Sequence, residues 1–157
     1  MKLSIKLDKS NIPLNKKALD NIIYDCLVQS CKKVQETAKS EHNFKTISGK
    51  LERAIKFKVI KSKKEGTVYL DTKTAKYANY VHEPTGMFRE GGSRYPIRPK
   101  DPNGKLHFFW KRKGIWVTTK LVMHTGSPAD RFLNEALEKN KAYIIELFEE
   151  QVRGGIR

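Results

Sequence analysis

The spacing of apolar residues divides the chain into segments of two different periods. Lys2 to Leu7 alternates, with Leu3, Ile5 and Leu7 on one face and Lys2, Ser4 and Lys6 on the other, which predicts a short strand. A turn at Asn11 to Asn15, with Pro13, follows. From about Lys16 to Lys39 the period lengthens. Leu19, Ile22, Ile23, Cys26, Leu27, Ser30, Val34 and Ala38 recur at three- and four-residue steps, the stripe of an amphipathic helix. Asn15 is placed to cap it, although Lys16 and Lys17 oppose the helix dipole. Ser48 to Arg53 suits one helical turn. Ile55, Phe57 and Val59 then alternate with Lys56 and Lys58, a half-buried strand with its basic face outward. A Lys61–Gly66 turn and a returning strand, Thr67–Asp71, complete a hairpin.

Thr74 to Val81 suits a short helix in which Tyr77, Tyr80 and Val81 share one face and tie the base of the next segment to the core. Neither period holds from about 84 to 105, a stretch rich in Gly, Pro and Arg; long loops of this kind are functional or ordered by a partner. Leu106–Trp110 and Gly114–Thr118 flank Lys111-Arg-Lys-Gly and predict a second hairpin with a basic tip, which Leu121–His124 continues as a short strand. Ser127-Pro-Ala-Asp130 has the residues of a helix start: a capping Ser, a first-turn Pro and an Asp. The last helix then runs to about Val152 on a stripe of Leu133, Ala136, Leu137, Ile144 and Phe148, and Gly154-Gly155 ends it. The expected fold is α+β: a small, mostly antiparallel sheet packed by a long N-terminal helix and a C-terminal helix, in a single domain over residues 1–157.

Composition adds one strong constraint. The 157 residues carry 32 Lys and Arg against 17 Asp and Glu, a net charge of +15. Such a field attracts polyanions and acidic protein surfaces, although an ordinary Lys-rich solvated surface produces the same total. The charge is uneven. Residues 129–150 have a net charge of −3 and the remainder +18, so a basic body carries an acidic helix. A solvated helix face accounts for this equally simply. Apolar residues, at 38%, are enough for a core but leave room for a segment ordered by a partner.

Enzyme chemistry finds little support. His42, His82, His107 and His124 lack metal-ligand spacing, and no Gly-x-Ser-x-Gly elbow occurs. Gly86 to Gly92 lacks the Gly-Lys-Ser/Thr of a phosphate loop. Cys26 and Cys31 fall on different sides of one helix, too far apart in direction to pair, and read as core or helix-flank residues. His82, with Arg89, Arg94 and Arg98 close in sequence, is the one arrangement a phosphate-handling site would use; a polar loop after a helix explains it as well. No cofactor or metal is expected. No apolar run approaches the length of a membrane span, and the N-terminus lacks a signal-peptide core, so the expected site of synthesis is the cytoplasm with no membrane partner. The contact candidates are Phe88, Arg89, Arg94, Tyr95 and Arg98 of the loop, and Trp110, Lys111, Arg112 and Lys113 at the hairpin tip. Cations interleaved with aromatics suit phosphate and base binding, and suit protein interfaces equally.

The segment Tyr77-Ala-Asn-Tyr-Val-His-Glu-Pro-Thr-Gly86 resembles the phage tail-completion and head–tail joining (neck) family, the minor tail protein Z-like proteins. That family has a Tyr-Ala-x-Tyr-Val segment, a Gly-Thr turn and a variable loop. Ser48-Gly-Lys-Leu-Glu-Arg-Ala-Ile55 is similar to its step into the first hairpin, and Asp130-Arg-Phe-Leu-Asn-Glu-Ala-Leu137 to the start of its last helix. The resemblance spans about residues 15–150. Glu83-Pro84-Thr85 departs from the Gly-Thr turn, and Asp130-Arg131 from the Pro before Phe132. The resemblance implies an α+β fold and a structural, non-enzymatic role in the virion neck after assembly in the host cytoplasm. It also implies a ring of copies (hexamer or dodecamer) and contacts with head–tail connector proteins and the tail terminator. Non-specific contact with DNA in the channel is compatible with the charge. The competing expectations are a basic nucleic-acid-binding protein outside any virion and a small nuclease or toxin using His82.

Overall fold

The longest periodic segment folds as its spacing predicts. Helix α1 spans Lys16–Ser40 and buries Leu19, Ile23, Cys26, Leu27, Ser30, Cys31, Val34, Thr37 and Ala38. At 3.6 residues per turn these positions cover an arc of roughly 140°. One neighbour cannot cover so wide a stripe, and in this computed structural model two do. The structure describes the backbone of residues 2–4 and the whole of residues 16–154; the predicted Asn11–Asn15 turn, the Asn15 cap and the strand positions 5–7 lie outside the described residues.

The remaining elements are β1 (Lys2–Ser4), α2 (Lys50–Ala54), β2 (Ile55–Ile60), β3 (Glu65–Leu70), α3 (Ala78–His82), β4 (Tyr95–Ile97), β5 (Leu106–Trp110), β6 (Ile115–Thr119), β7 (Val122–His124) and α4 (Phe132–Gly154). The class is α+β, with small antiparallel sheets and two long helices. The chain forms two compact units, a helical unit of Met1–His82 with Asp130–Arg157 and a ribbon unit of Glu83–Ala129.

In the helical unit the sheet order is β1-β3-β2, antiparallel throughout. The β2–β3 register sets Ile55, Phe57 and Val59 opposite Leu70, Val68 and Gly66, and this face turns inward. Lys56 and Lys58 lie on the outer face opposite Tyr69 and Thr67, as the alternation predicts. Gly66 sits where α1 crosses the sheet. A Cβ there would lie 2.5 Å from Cys31 Sγ and 3.6 Å from Leu27 Cδ2, so the bare backbone is what admits the helix. Polar ties fix the crossing. Gln35 Nε2 donates to the Ile55 carbonyl at 2.6 Å, and Lys64 pairs with Asp20 across the hairpin turn.

The other flank of α1 meets α4. Asn140 Nδ2 donates to Thr37 Oγ1 at 2.9 Å inside the core, and Lys139 Nζ reaches Glu41 at 2.7 Å. Lys33 Nζ lies 6.0 Å from the Tyr143 ring centroid. These contacts descend α1 as they ascend α4, so the two helices are antiparallel. The layers are therefore sheet, α1 and α4, with Phe132, Leu27 and Ile55 fully buried among them. Each such side chain contributes roughly 1.5–3 kcal/mol. Both cysteines are free and buried on separate flanks; burial pushes the Cys31 thiol up to about 11.

Three sequence expectations need correction in detail. The segment after β3 turns helical only at α3, because Asp71 first holds a turn: its carboxylate accepts from Thr74 Oγ1 and the Lys73 N–H, and its carbonyl accepts from the Ala75 N–H. Ala75 and Ala78 pack with Leu51 and Ala54, and His82 is buried against Phe132, while Tyr77 and Tyr80 are exposed. The last helix starts at Phe132 rather than after Ser127, because the Asp130 N–H bonds to the Val81 carbonyl and its carboxylate accepts from the Asn43 N–H. Finally, β7 pairs with β4 instead of extending the β5–β6 hairpin.

The Gly66 crossing makes a specific demand. Gly66→Ala is expected to lower stability by about 1–3 kcal/mol, measured by urea denaturation, through overpacking against Cys31. Cys31→Ala in the same chain is expected to recover about 1 kcal/mol of that loss, a coupling that only direct contact produces.

Candidate functional site

Every sequence-predicted contact residue falls in the ribbon unit, and every one is exposed. The unit is built from two antiparallel pairs. In one, β5 and β6 place Leu106, His107, Phe108, Phe109 and Trp110 opposite Thr119, Thr118, Val117, Trp116 and Ile115. The turn Lys111–Gly114 closes this hairpin, with the Lys113 and Gly114 N–H groups bonded to the Trp110 carbonyl. Gly114 supplies the positive φ of 66° that the turn needs. Lys113 Nζ lies 4.6 Å from the Trp110 ring centroid, which leaves Lys111 and Arg112 as the outer charges of the tip.

Pleating sorts the hairpin side chains into two faces. Leu106, Phe108, Trp110, Ile115 and Val117 share one. His107, Phe109, Trp116 and Thr118 share the other, where the His107 and Trp116 rings stack in parallel at 4.8 Å and Phe109 adds a tilted contact at 5.5 Å. His107 Nδ1 lies 2.9 Å from Thr118 Oγ1. Trp116 is 67% exposed. The sequence reading singled out Trp110 and passed over Trp116, yet the hairpin register alone puts Trp116 opposite Phe109 and beside His107.

In the second pair, β4 lies inside the interval expected to be a loop, and its partner β7 falls where a short strand was expected. Tyr95 stands opposite His124, their rings 5.4 Å apart, and Ile97 opposite Val122. Phe88 closes a 3₁₀ turn, Gly86–Phe88, and Arg89 and Arg94 lie between that turn and β4, with Arg98 just beyond.

Two Thr-Gly steps fasten the ends of the unit to each other. The Thr85 N–H bonds to the Ser127 carbonyl at 2.9 Å, the Met87 N–H to the Thr125 carbonyl at 2.8 Å, and the Ser127 N–H to Thr85 Oγ1 at 2.8 Å. His124 Nδ1 accepts from the Gly126 N–H. Gly86 and Gly126 have positive φ, and their backbones approach so closely that a Cβ on either would strike the other strand.

The unit has surface but no interior. No residue from Glu83 to Ala129 is buried. Met87, Phe88, Ile97, Phe109, Trp110, Ile115, Trp116, Leu121 and Met123 are all exposed. Monomeric proteins seldom leave so much apolar surface in one segment without a partner. Nine exposed cations, Arg89, Arg94, Arg98, Lys100, Lys105, Lys111, Arg112, Lys113 and Lys120, surround it against Glu83, Glu90 and Asp101, a net charge of +6. Guanidinium groups bind carboxylate or phosphate bidentately, and the aromatic faces take flat or apolar partners.

Elsewhere the chemistry is sparse. His82 is buried in the helical unit with its ring edge-on to Phe132 at 5.1 Å. Among the described residues no group of three or more His, Cys, Asp or Glu is disposed to hold a metal ion. A recess of about 290 Å³ beside α2 is lined by Phe44, Ile47, Leu51, Tyr77 and Val81, with Ile47 exposed at its edge. No helix among the described residues is long and apolar enough to cross a membrane. No family model, curated protein or solved structure matches the chain.

The paired Thr-Gly steps should control the ribbon unit alone. Gly126→Ala forces a strained φ and a backbone clash, of order 1–3 kcal/mol. The expected outcome is faster amide exchange at Met87 and new protease cleavage between residues 83 and 129, with the helical circular dichroism of α1 and α4 preserved.

Proposed function

We propose that this chain is a structural virion protein of a tailed bacteriophage, a tail-completion protein that joins head to tail in the neck as a ring of copies. The observation that carries this reading is the ribbon unit: a segment of nearly 50 residues, by the bounds Glu83–Ala129, in which nothing is buried and large apolar and cationic groups face solvent. Two-stranded pairs without a buried face are marginal by themselves, so a surface of this kind is completed by what it binds. The sequence resemblance at Tyr77–Gly86, Ser48–Ile55 and Asp130–Leu137 supplies the identity of the assembly. Its neighbours are copies of itself, the head–tail connector and the tail terminator. The groups offered, guanidinium, ammonium and aromatic rings, are groups of recognition.

A second reading has one observation in its favour. The stacked His107–Trp116 pair and the Lys111–Lys113 tip form a cationic aromatic platform, which a nucleic-acid-binding protein uses for bases and phosphates. That protein binds DNA or RNA tightly when free, with log affinity falling steeply against log salt. A neck protein binds it weakly.

Electron micrographs of a lysate from a phage or prophage lacking this gene test the proposal. The expected outcome is filled heads and finished tails lying unjoined. Joined, infectious particles in normal numbers overturn it, and salt titrations of nucleic-acid binding then become decisive.

A further inference from the structure

We propose that the ribbon unit of one copy docks on the outward face of α4 of a second copy, and that this contact propagates the assembly. The inference rests on the assembly reading and names the surface each copy offers the next.

The first support is charge. α4 buries Phe132, Leu133, Ala136, Asn140, Ile144, Leu147 and Phe148, which fixes its opposite arc toward solvent. On that arc Glu135, Glu138, Glu146 and Glu149 are exposed around Ala142 and Ile145. This is the acidic segment of a chain with a net charge of +15. Its ion pairs along the helix, Lys141 with Glu138 at 3.9 Å and Arg153 with Glu149 at 3.6 Å, are long and exposed, so the carboxylates remain open to stronger donors. The ribbon unit supplies such donors. It holds four of the chain's eight arginines, whose forks grip carboxylates bidentately, whereas the helical unit is mainly lysine.

The second support is apolar. Phosphates would satisfy the cations, but Ile115, Leu121 and Met123 need an apolar protein surface rather than a base to stack on. Ile145, 53% exposed, and Ala142 one turn before it on the same arc provide one, with Glu138 and Glu149 alongside. A patch of apolar groups ringed by opposite charges is the usual build of an interface centre and rim. The two faces differ, so the contact is heterologous; repeated around an axis it closes a ring.

Cross-linking between copies tests this directly. Thr118→Cys on the ribbon unit and Ala142→Cys on α4 are made in separate full-length chains carrying different mass tags. Cys26 and Cys31 stay silent toward maleimides, because both are buried and burial pushes the Cys31 thiol up to about 11. At low ionic strength a bismaleimide is expected to link the mixed chains and to link neither variant alone. Glu138→Lys with Glu149→Lys in the Ala142→Cys chain is expected to cut the yield about tenfold, and Lys111→Glu with Arg112→Glu in its partner to restore it. Folding of each variant is checked by circular dichroism.

The alternatives separate cleanly. Oligomers in sedimentation without the mixed cross-link, or a cross-link indifferent to charge reversal, overturn the docking inference and leave the neck reading standing. A chain that stays monomeric and binds single-stranded oligonucleotides with steep salt dependence overturns both. A chain that stays monomeric and binds neither overturns the docking inference, and the lysate experiment judges the neck reading separately.

Discussion

The structure depends on one helix being buried from two sides. The apolar arc of α1 is too wide for a single neighbour, so the sheet takes the flank of Leu27 and Cys31 while α4 takes the flank of Thr37. The sheet's share requires that one strand position carry no side chain, and Gly66 is that position. The other share requires that a buried polar pair find its partner, and Asn140 with Thr37 sets the alignment of the antiparallel helices. Apolar burial provides most of the stability, but burial is indifferent to register. The glycine and the buried amide select one arrangement from the several that the same stripe would tolerate.

The ribbon unit is organised by a different principle. Its strands are paired and its turns are specified, yet it has no core of its own. Backbone hydrogen bonds and the facing Thr-Gly steps give it a defined path. They contribute little net stability each, since water competes for every one of them. Segments with few buried contacts open at lower free energy than the core around them. If such a surface binds the partner proposed above, its final burial comes from that contact, so the stability of the unit and the affinity of the contact would be linked quantities.

How much of this was legible follows from which force set each feature. Both boundaries of α1 agree with the periodicity to within one residue, because a wide apolar stripe in a long helix is a strong signal. The first hairpin was legible from period-two alternation and the second from its aromatic runs and turn glycine, and the contact candidates, chosen for cations among aromatics, all lie on the exposed ribbon unit. The misreadings came where local chemistry was overruled from a distance. Ser127-Pro128 has the residues of a helix start, but Ser127 and Asp130 are held outside the helix by bonds to Thr85 and Val81, remote in sequence. Tyr77 and Tyr80 are large and apolar enough for a core, yet the positions buried against Leu51 and Ala54 are Ala75 and Ala78. Strand β4, and with it the pairing of β7, was not read because a three-residue strand in a Gly- and Pro-rich stretch has too little pattern. The Gly86–Gly126 approach left only a weak trace, the repeated Thr-Gly dipeptide at 85–86 and 125–126.

Charge links the two principles. A chain with a uniform charge of +15 would repel its own copies at close range, and screening at physiological salt acts only beyond about 8 Å. Placing the carboxylates on the exposed arc of α4 breaks that uniformity where it matters for contact. In the docking proposed above, a copy approaches another along few orientations, those that bring the cations of the ribbon unit over the acidic arc, and like-charged faces reject the rest. Such selection is a rate and specificity effect more than an affinity effect, and the apolar groups between the charges supply what holds once the faces meet. The proposed division of labour fits the placement of the acidic residues on a core-anchored helix and of the exposed aromatics on the unit without a core. A docking face keeps its geometry only if its backbone is fixed, and a face that must settle onto a partner does so most readily when its own burial is still incomplete.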